Sequence, residues 1–255
     1  MFPYTIAAID LDDTLLRSNG TLSTTTEETL VRWQATGRQI VIATGRPPRS
    51  IGHVLPPSLQ GVPWVCYNGA EIRLNGECIY TNHIPAADTQ TIVLQVLDEM
   101  PGALIGVEVA GTLYLNRHAE RATPYEVADL VTLEQPAAKV LIFSETKEPL
   151  PSLASAMPPS AQPLYSARYP HFIQILATNC NKASALEHWV EAMQHALADI
   201  VAFGDDTNDV EMVAACGRGV AMANAVAEVK AVADEITLTN DEDGVARILT
   251  KLLDG

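Results

Sequence analysis

Both ends of the chain show short apolar runs that stop abruptly at polar residues. Residues 4–9, Tyr-Thr-Ile-Ala-Ala-Ile, meet Asp10 directly, which predicts a buried strand that delivers polar groups at its C-terminal end. Thr24-Thr25-Thr26-Glu27 is a capping-box pattern. Leu30 and Trp33 follow at helical spacing, and Gly37 marks the stop. A second buried strand over 39–43 ends at Thr44-Gly45-Arg46, and Pro47 suits the first turn of another helix. A third over 64–67 ends at Asn68-Gly69. Alternating strands and helices predict a parallel sheet covered on both faces. In such sheets, ligands sit beyond the C-terminal strand ends.

The pattern changes near residue 82. Asp88 is placed to cap a helix with Val93, Val96, Leu97 and Met100 on one face. Strands over 104–109 and 112–116 flank Ala110-Gly111, a hairpin signal. Thr123-Pro124-Tyr125-Glu126 reads as a helix start, and 139–144 as a strand. Proline-rich 149–163 reads as a short helix between loops, followed by strands over 164–167 and 172–177. From Cys180 the first pattern resumes. Leu186, Trp189, Val190, Met193 and Leu197 define an amphipathic helix. A strand over 200–203 runs into Gly204-Asp205-Asp206-Thr207-Asn208-Asp209; a helix follows, then a strand over 219–222. The fold expected is α/β: a doubly wound core over 1–82 and 181–255, with an α+β domain inserted at 83–180.

Composition narrows the function. The 255 residues are 47% hydrophobic and 18% charged, a globular balance. A core of this size buries roughly 70–75% of the unfolded chain's surface. Sixteen basic against 31 acidic residues give a formal charge of −15, which repels nucleic acid and anionic membrane. No apolar run approaches the 18 residues of a membrane span, and the N-terminus lacks a basic signal-like region. A cytoplasmic protein is expected, monomeric or homodimeric. Cys66, Cys78, Cys180 and Cys216 form no CxxC pair, so they read as buried or half-buried free thiols rather than a disulfide or zinc framework. His53, His83, His118, His171, His188 and His195 show no metal spacing. Trp33, Trp189 and Met193 read as core. No GxGxxG or GxxxxGK[ST] loop is present.

Three polar clusters follow predicted strands: Asp10-Leu11-Asp12-Asp13-Thr14, Thr44-Gly45-Arg46 and the Gly204–Asp209 run. In one parallel sheet they meet at one edge, bringing Asp10, Asp12, Asp205 and Asp209 together. Like charges about 4 Å apart cost about 4 kcal/mol per pair at an effective dielectric of 20, so such a cluster calls for a cation or a shared proton. Hard oxygen donors favour Mg²⁺. A carboxylate can attack a phosphoryl group and split one displacement into two, and a second can act as acid, then base. Thr44 offers a hydroxyl, and Lys182 an ammonium at a helix start, for phosphoryl charge.

Asp-Leu-Asp-Asp-Thr-Leu-Leu, Ala-Thr-Gly-Arg, Asn-Gly-Ala, Asn-Lys-Ala-Ser-Ala-Leu and Gly-Asp-Asp-Thr-Asn-Asp-Val-Glu-Met occur in that order. The set resembles the motifs of the haloacid dehalogenase (HAD) superfamily, in particular its Cof-type sugar phosphatases with a type IIB cap. The likeness spans essentially the whole chain, and Gly219–Ala225 and Asp243–Ala246 also fit it. It implies that Asp10 is the nucleophile and that Asp12 is the acid/base and offers magnesium its backbone carbonyl. Thr44 and Lys182 would hold the phosphoryl group. Asp205 would bind metal; Asp209 would bind it or support it. Asn208 would support the phosphate or metal shell, with Arg46 and Asn68 contacting substrate. The inserted block, as cap, is expected to close over the site and choose the leaving group. Asp13 departs from the glycine common there, and Asp206 from the usual asparagine or glutamate; both read as turn residues. The cap is shorter than the fuller family pattern.

The activity expected is therefore Mg²⁺-dependent hydrolysis of a small phosphomonoester, a sugar phosphate, through an aspartyl-phosphate on Asp10. A phosphosugar mutase and a non-hydrolytic receiver-like phosphoaspartate switch stay open as alternatives.

Overall fold

The computed structural model describes residues 4–121, 123–144, 148–153, 157–166 and 168–255. The chain divides into two compact units: one runs up to Tyr80 and resumes over Asn181–Gly255, and the other is Thr81–Cys180.

The first unit is built on β1 (Ile6–Ile9), β2 (Gln39–Ala43), β3 (Trp64–Cys66), β4 (Glu71–Leu74), β5 (Glu77–Thr81), β12 (Ile200–Gly204), β13 (Arg218–Ala221) and β14 (Glu235–Ile236), numbered along the whole chain. These strands form one sheet in the order β14-β13-β12-β1-β2-β3-β4-β5. Pairing is parallel from β14 to β3; β4 then runs antiparallel to β3. Ile6 aligns with both Ile200 and Gln39, so β1 lies at the centre. The connection after β1 leads to one side of it and the connection after β12 to the other, the reversal that opens a crevice at strand ends. All four residues of β1 are buried, because both faces are covered. Ile6, Ala8, Val41, Val65, Ile200 and Ala202 pack against Leu186, Trp189 and Val190 of α3 (Lys182–Ala192) and Met212 of α4 (Val210–Ala215). By the two-residue strand period, Ala7, Ile9, Ile40, Ile42 and Phe203 face the other way and are equally buried. α1 (Thr24–Ala35) packs there against β2 and α6 (Gly244–Asp254).

In the second unit, β6 (Leu104–Val109), β7 (Thr112–Leu115), β8 (Glu126–Val127), β9 (Lys139–Phe143), β10 (Ala161–Tyr165) and β11 (Phe172–Ala177) form a sheet in the order β10-β11-β9-β6-β7-β8, with α2 (Ala86–Glu99). Pairing is antiparallel except between β7 and β8. One face carries Leu104, Leu113, Leu115 and Leu141 and the stacked rings of Phe143 and Phe172, 4.8 Å apart. The Ala110-Gly111 turn joins β6 to β7, both residues at positive φ as a two-residue hairpin requires.

Several local expectations need correction. The cap of α1 is Ser23, whose hydroxyl accepts from the Thr26 N–H; Thr24 is the first helical residue. No α-helix follows Pro47. Two 3₁₀ turns, Pro48–Ser50 and Pro57–Leu59, stand there instead. Pro47, Pro48, Pro56, Pro57 and Pro63 withhold N–H donors and bias the residue before each away from helix. Asp88 lies inside the first turn of α2, which starts at Ala86 after Pro85, and accepts from the Ser160 hydroxyl. The helix start at Thr123 is instead extended chain: Glu126 and Val127 align with Tyr114 and Leu115. The Tyr125 hydroxyl accepts from the Ala119 N–H and donates to the Ala119 carbonyl. α3 ends at Ala192, where Gln194 takes a left-handed φ of 60°. Met193 is therefore exposed rather than core, and Leu197 begins a separate 3₁₀ turn. The helix expected within 149–163 falls partly on residues 154–156, outside the described residues, and 161–163 belong to β10. The strand expected over 164–167 starts earlier, and Ala167 lies outside the described residues. Cys78 is exposed, whereas Cys66, Cys180 and Cys216 are buried; all four are free.

β4, β5, α5 (Ala227–Val232), β14 and α6 were not anticipated. Asn75-Gly76 between β4 and β5, both at positive φ, was a readable hairpin signal. Val245, Ile248 and Leu249, at i, i+3 and i+4, were a readable helix signal.

Candidate active site

Asp10, Thr44, Asn68 and Asp205 each stand just past the C-terminal end of a parallel strand: β1, β2, β3 and β12. Lys182 comes from elsewhere, as the first residue of α3. Asn181 caps that helix, accepting from the Ser184 N–H while the Ser184 hydroxyl accepts from the Asn181 N–H. The cap is set close to the 3₁₀ turn Tyr67–Gly69. A Cβ on Gly69 would lie 2.2 Å from the Asn181 carbonyl oxygen, and Gly69 has φ of +108°. Only glycine permits that approach.

The Lys182 ammonium is wholly buried. It donates to Asp10 at 2.5 Å and to Asp209 at 2.6 Å. The second Asp209 oxygen accepts from the backbone N–H of Asp205 at 3.0 Å and of Asp206 at 3.1 Å. The Thr14 hydroxyl donates to Asp205 at 2.9 Å. Asp10, Asp205 and Asp209 are all buried, and one carboxylate oxygen from each lies within 4.8 Å of the others.

Three carboxylates face one ammonium, so negative charge is left over in a buried place. Burial lifts the Asp10 pKa well above the ordinary carboxylate value; Lys182 opposes the shift, and the Asp209 and Asp205 charges add to it. Burial alone would lower the Lys182 pKa, but the charges and hydrogen bonds of Asp10 and Asp209 outweigh it and hold the ammonium above the usual lysine range. Surplus charge on hard oxygen donors at this spacing fits a divalent cation such as Mg²⁺ or Ca²⁺.

Asp12 points elsewhere. Arg46 grips its carboxylate with two hydrogen bonds, 2.6 and 2.8 Å, and donates a third to the Ser50 carbonyl at 3.0 Å. The hydrogen bond to Asp12 raises the Arg46 pKa, so the guanidinium stays charged. The Asp12 carboxylate is thus outside the three-aspartate cluster. The Thr44 hydroxyl accepts from the Arg46 N–H at 3.1 Å. Asn208 donates to the Asn68 side-chain oxygen at 2.8 Å. That oxygen is 2.8 Å from where a Gly45 Cβ would be, so Gly45 leaves it room.

Asp13 occupies the left-handed region, φ 56° and ψ 9°, a conformation that aspartate tolerates better than most residues. Asp206 accepts from the Thr207 N–H and caps the turn over Thr207–Asp209. Two site contacts escaped sequence reasoning. Thr14 was readable only as part of its motif. Asn224, whose amide donates to the Asp13 carbonyl at 2.8 Å, was readable only as part of the Gly219–Ala225 stretch that fits the family, with no role attached.

The model for haloacid dehalogenase-like hydrolases matches residues 7–249, and the chain belongs to that family. It is 32% identical over 263 residues to the 5-amino-6-(5-phospho-D-ribitylamino)uracil phosphatase YitU of Bacillus subtilis, covering 97% of this chain and 96% of that one. Among solved structures, TM0651 from Thermotoga maritima superposes with a TM-score of 0.82 at 26% identity, covering 97% of each chain. The HAD subclass IIB sugar phosphatase BT4131 shares the fold, with a TM-score of 0.81 at 22% identity over 97% of this chain and 98% of that one. The expected fold class is what the structure shows. The protein is an enzyme, a phosphatase of the HAD hydrolase family. Among the described residues, no helix is long and apolar enough to cross a membrane.

Proposed function

We propose that the protein is a magnesium-dependent phosphatase that hydrolyses a small sugar phosphate through an aspartyl-phosphate on Asp10. The observation that carries this reading is the buried Asp10–Lys182–Asp209 bridge beside Asp205. The relationship to YitU supports a substrate with a phosphorylated polyol or sugar chain. The free thiols fit a reducing compartment, and we read the enzyme as cytoplasmic.

An Asp10 carboxylate oxygen attacks phosphorus and forms an acyl phosphate as the bond to the ester oxygen breaks; Asp12, having taken up a proton from solvent and turned from Arg46 toward the site, gives that proton to the leaving oxygen. Water then attacks the same phosphorus, giving its proton to Asp12. Asp10 is released as carboxylate and inorganic phosphate departs. Lys182 fixes the Asp10 carboxylate for attack, and Arg46 holds the ionised Asp12 carboxylate between turnovers. Thr44, Asn68 and Asn208 line the neighbouring strand ends and offer polar groups to the phosphoryl oxygens and the substrate. Asp10, Asp205, Asp209 and the Asp12 carbonyl would hold magnesium, which supplies positive charge against the phosphoryl oxygens and the surplus carboxylates.

Turnover of p-nitrophenyl phosphate with Mg²⁺, stopped by EDTA, followed by a screen of phosphorylated sugars and polyols, tests the reading. Release of inorganic phosphate supports it. An isomeric sugar phosphate as product would make the enzyme a mutase, and absence of ester turnover would favour a receiver-like switch.

A further inference from the structure

The segment Gly219–Ala225 stands out in the sequence, yet the proposed mechanism uses none of it. Its strand, β13, lies beside β12, and the chain leaving it binds both acidic loops. The Asn224 amide donates to the Asp13 carbonyl at 2.8 Å. Two residues on, the Val226 N–H donates to the Asp205 carbonyl at 2.8 Å. The stretch is itself tied down: Ala223 N–H donates to Leu238, Lys230 donates to the Ala223 carbonyl at 2.7 Å, and the Asn224 side-chain oxygen accepts from the Asn240 N–H at 3.1 Å.

We infer that Asn224 is a positioning residue for the Asp10–Thr14 loop. Asp13 stands in a left-handed conformation between Asp12 and Thr14. Its carbonyl direction is coupled to that conformation, and Asn224 is the side chain that holds the carbonyl. The same peptide geometry aims Asp12 on one side and, on the other, the Thr14 hydroxyl that reaches Asp205 at 2.9 Å. Glycine at position 13 would adopt the left-handed region without help, whereas aspartate keeps it here with the Asn224 amide. The Asn224 amide meets the loop at the Asp13 backbone carbonyl, so it acts through the loop. The inference rests on the proposed phosphatase reading for its kinetic consequence, but not for its structural one.

Two variants and a double variant test it in the full-length protein. Asn224→Ala removes the amide. Asn224→Asp keeps the acceptor for Asn240 and turns the donor into a carboxylate oxygen. Hydrogen exchange of the Leu15 and Leu16 amides, bonded to Asp10 and Leu11 carbonyls, reads the loop directly without any substrate. We expect exchange there to speed at least tenfold in both variants, with β1 amides unchanged. For p-nitrophenyl phosphate, kcat should fall about tenfold with KM within twofold. Asp13→Gly in the Asn224→Ala background should slow the exchange again and recover most of the lost kcat. Unchanged Leu15 and Leu16 exchange in Asn224→Ala would overturn the inference, as would a double variant no better than the single. An inactive wild-type enzyme would overturn the phosphatase reading alone, because the exchange result still decides the role of Asn224.

Discussion

The ammonium nitrogen of Lys182 lies 2.5 Å from a carboxylate oxygen of Asp10, although 172 positions separate the two residues. The same nitrogen bridges to Asp209. Removing one partner of a buried ion pair leaves uncompensated charge, which costs about 3–5 kcal/mol. Lys182→Met should therefore destabilise the metal-free protein by about 3 kcal/mol in urea denaturation. It should also lower kcat by about 10²–10³-fold, the usual loss for a preorganised charge at a reacting centre. Added Mg²⁺ should raise the variant's Tm more than the wild type's, because it replaces part of the missing positive charge.

Gly204 ends β12 against Asp209. A Cβ there would stand 2.4 Å from the Asp209 Cβ and 2.6 Å from its Cγ. Gly204→Ala should push Asp209 off Lys182, cost about 1–3 kcal/mol as overpacking does, and lower kcat at least tenfold. Gly52→Ala, whose nearest contact would be 3.7 Å, should change stability by under about 0.5 kcal/mol. Paired urea denaturation curves and kcat values check both.

The strands that carry the site were readable because each is a short apolar run cut off by a polar residue: Ile9 before Asp10, Ala43 before Thr44, Gly204 before Asp205. Burial on both faces removes any alternation, leaving the polar stop as the signal. What was not readable is which polar groups pair. The Thr14–Asp205 bond spans 191 positions and the Arg46–Asp12 grip 34; both depend on strand register and on left-handed residues such as Asp13. Glu126–Val127 shows the same limit. Its local sequence favours a helix start, and pairing with β7 overrides it.

Cysteine reactivity should follow burial. Burial pushes the thiols of Cys180 and Cys216 up to about 12 and that of Cys66 higher still. Cys78 is exposed, although partial burial and Glu71 raise its pKa too. Ellman's reagent at pH 8 should label one thiol per native chain, more slowly than free cysteine, and four in urea. Mass mapping should place the native label on Cys78.

Asp243 makes part of the stability depend on pH. Burial raises its pKa, but hydrogen bonds from Ser23, Arg17 and Thr26 and the Arg17 charge outweigh that and set it below 3.8. Its contribution is thus fully present above the unfolded value and is lost as pH falls through the folded value. The Arg17 partner is partly exposed, so solvent screening keeps the effect small. Asp243→Asn should cost about 0.5–1 kcal/mol at pH 7. The difference from wild type should vanish once pH drops below the folded-state pKa, as urea denaturation across a pH series would show.

The most direct test is to trap the covalent intermediate. The enzyme is mixed with Mg²⁺ and saturating p-nitrophenyl phosphate, quenched in acid within one turnover and reduced with borohydride, which converts an acyl phosphate to an alcohol. Peptide mass analysis should find the reduced side chain at Asp10, and nothing reduced in Asp10→Asn. Modification at another carboxylate, or full turnover by Asp10→Asn, would contradict nucleophilic attack by Asp10.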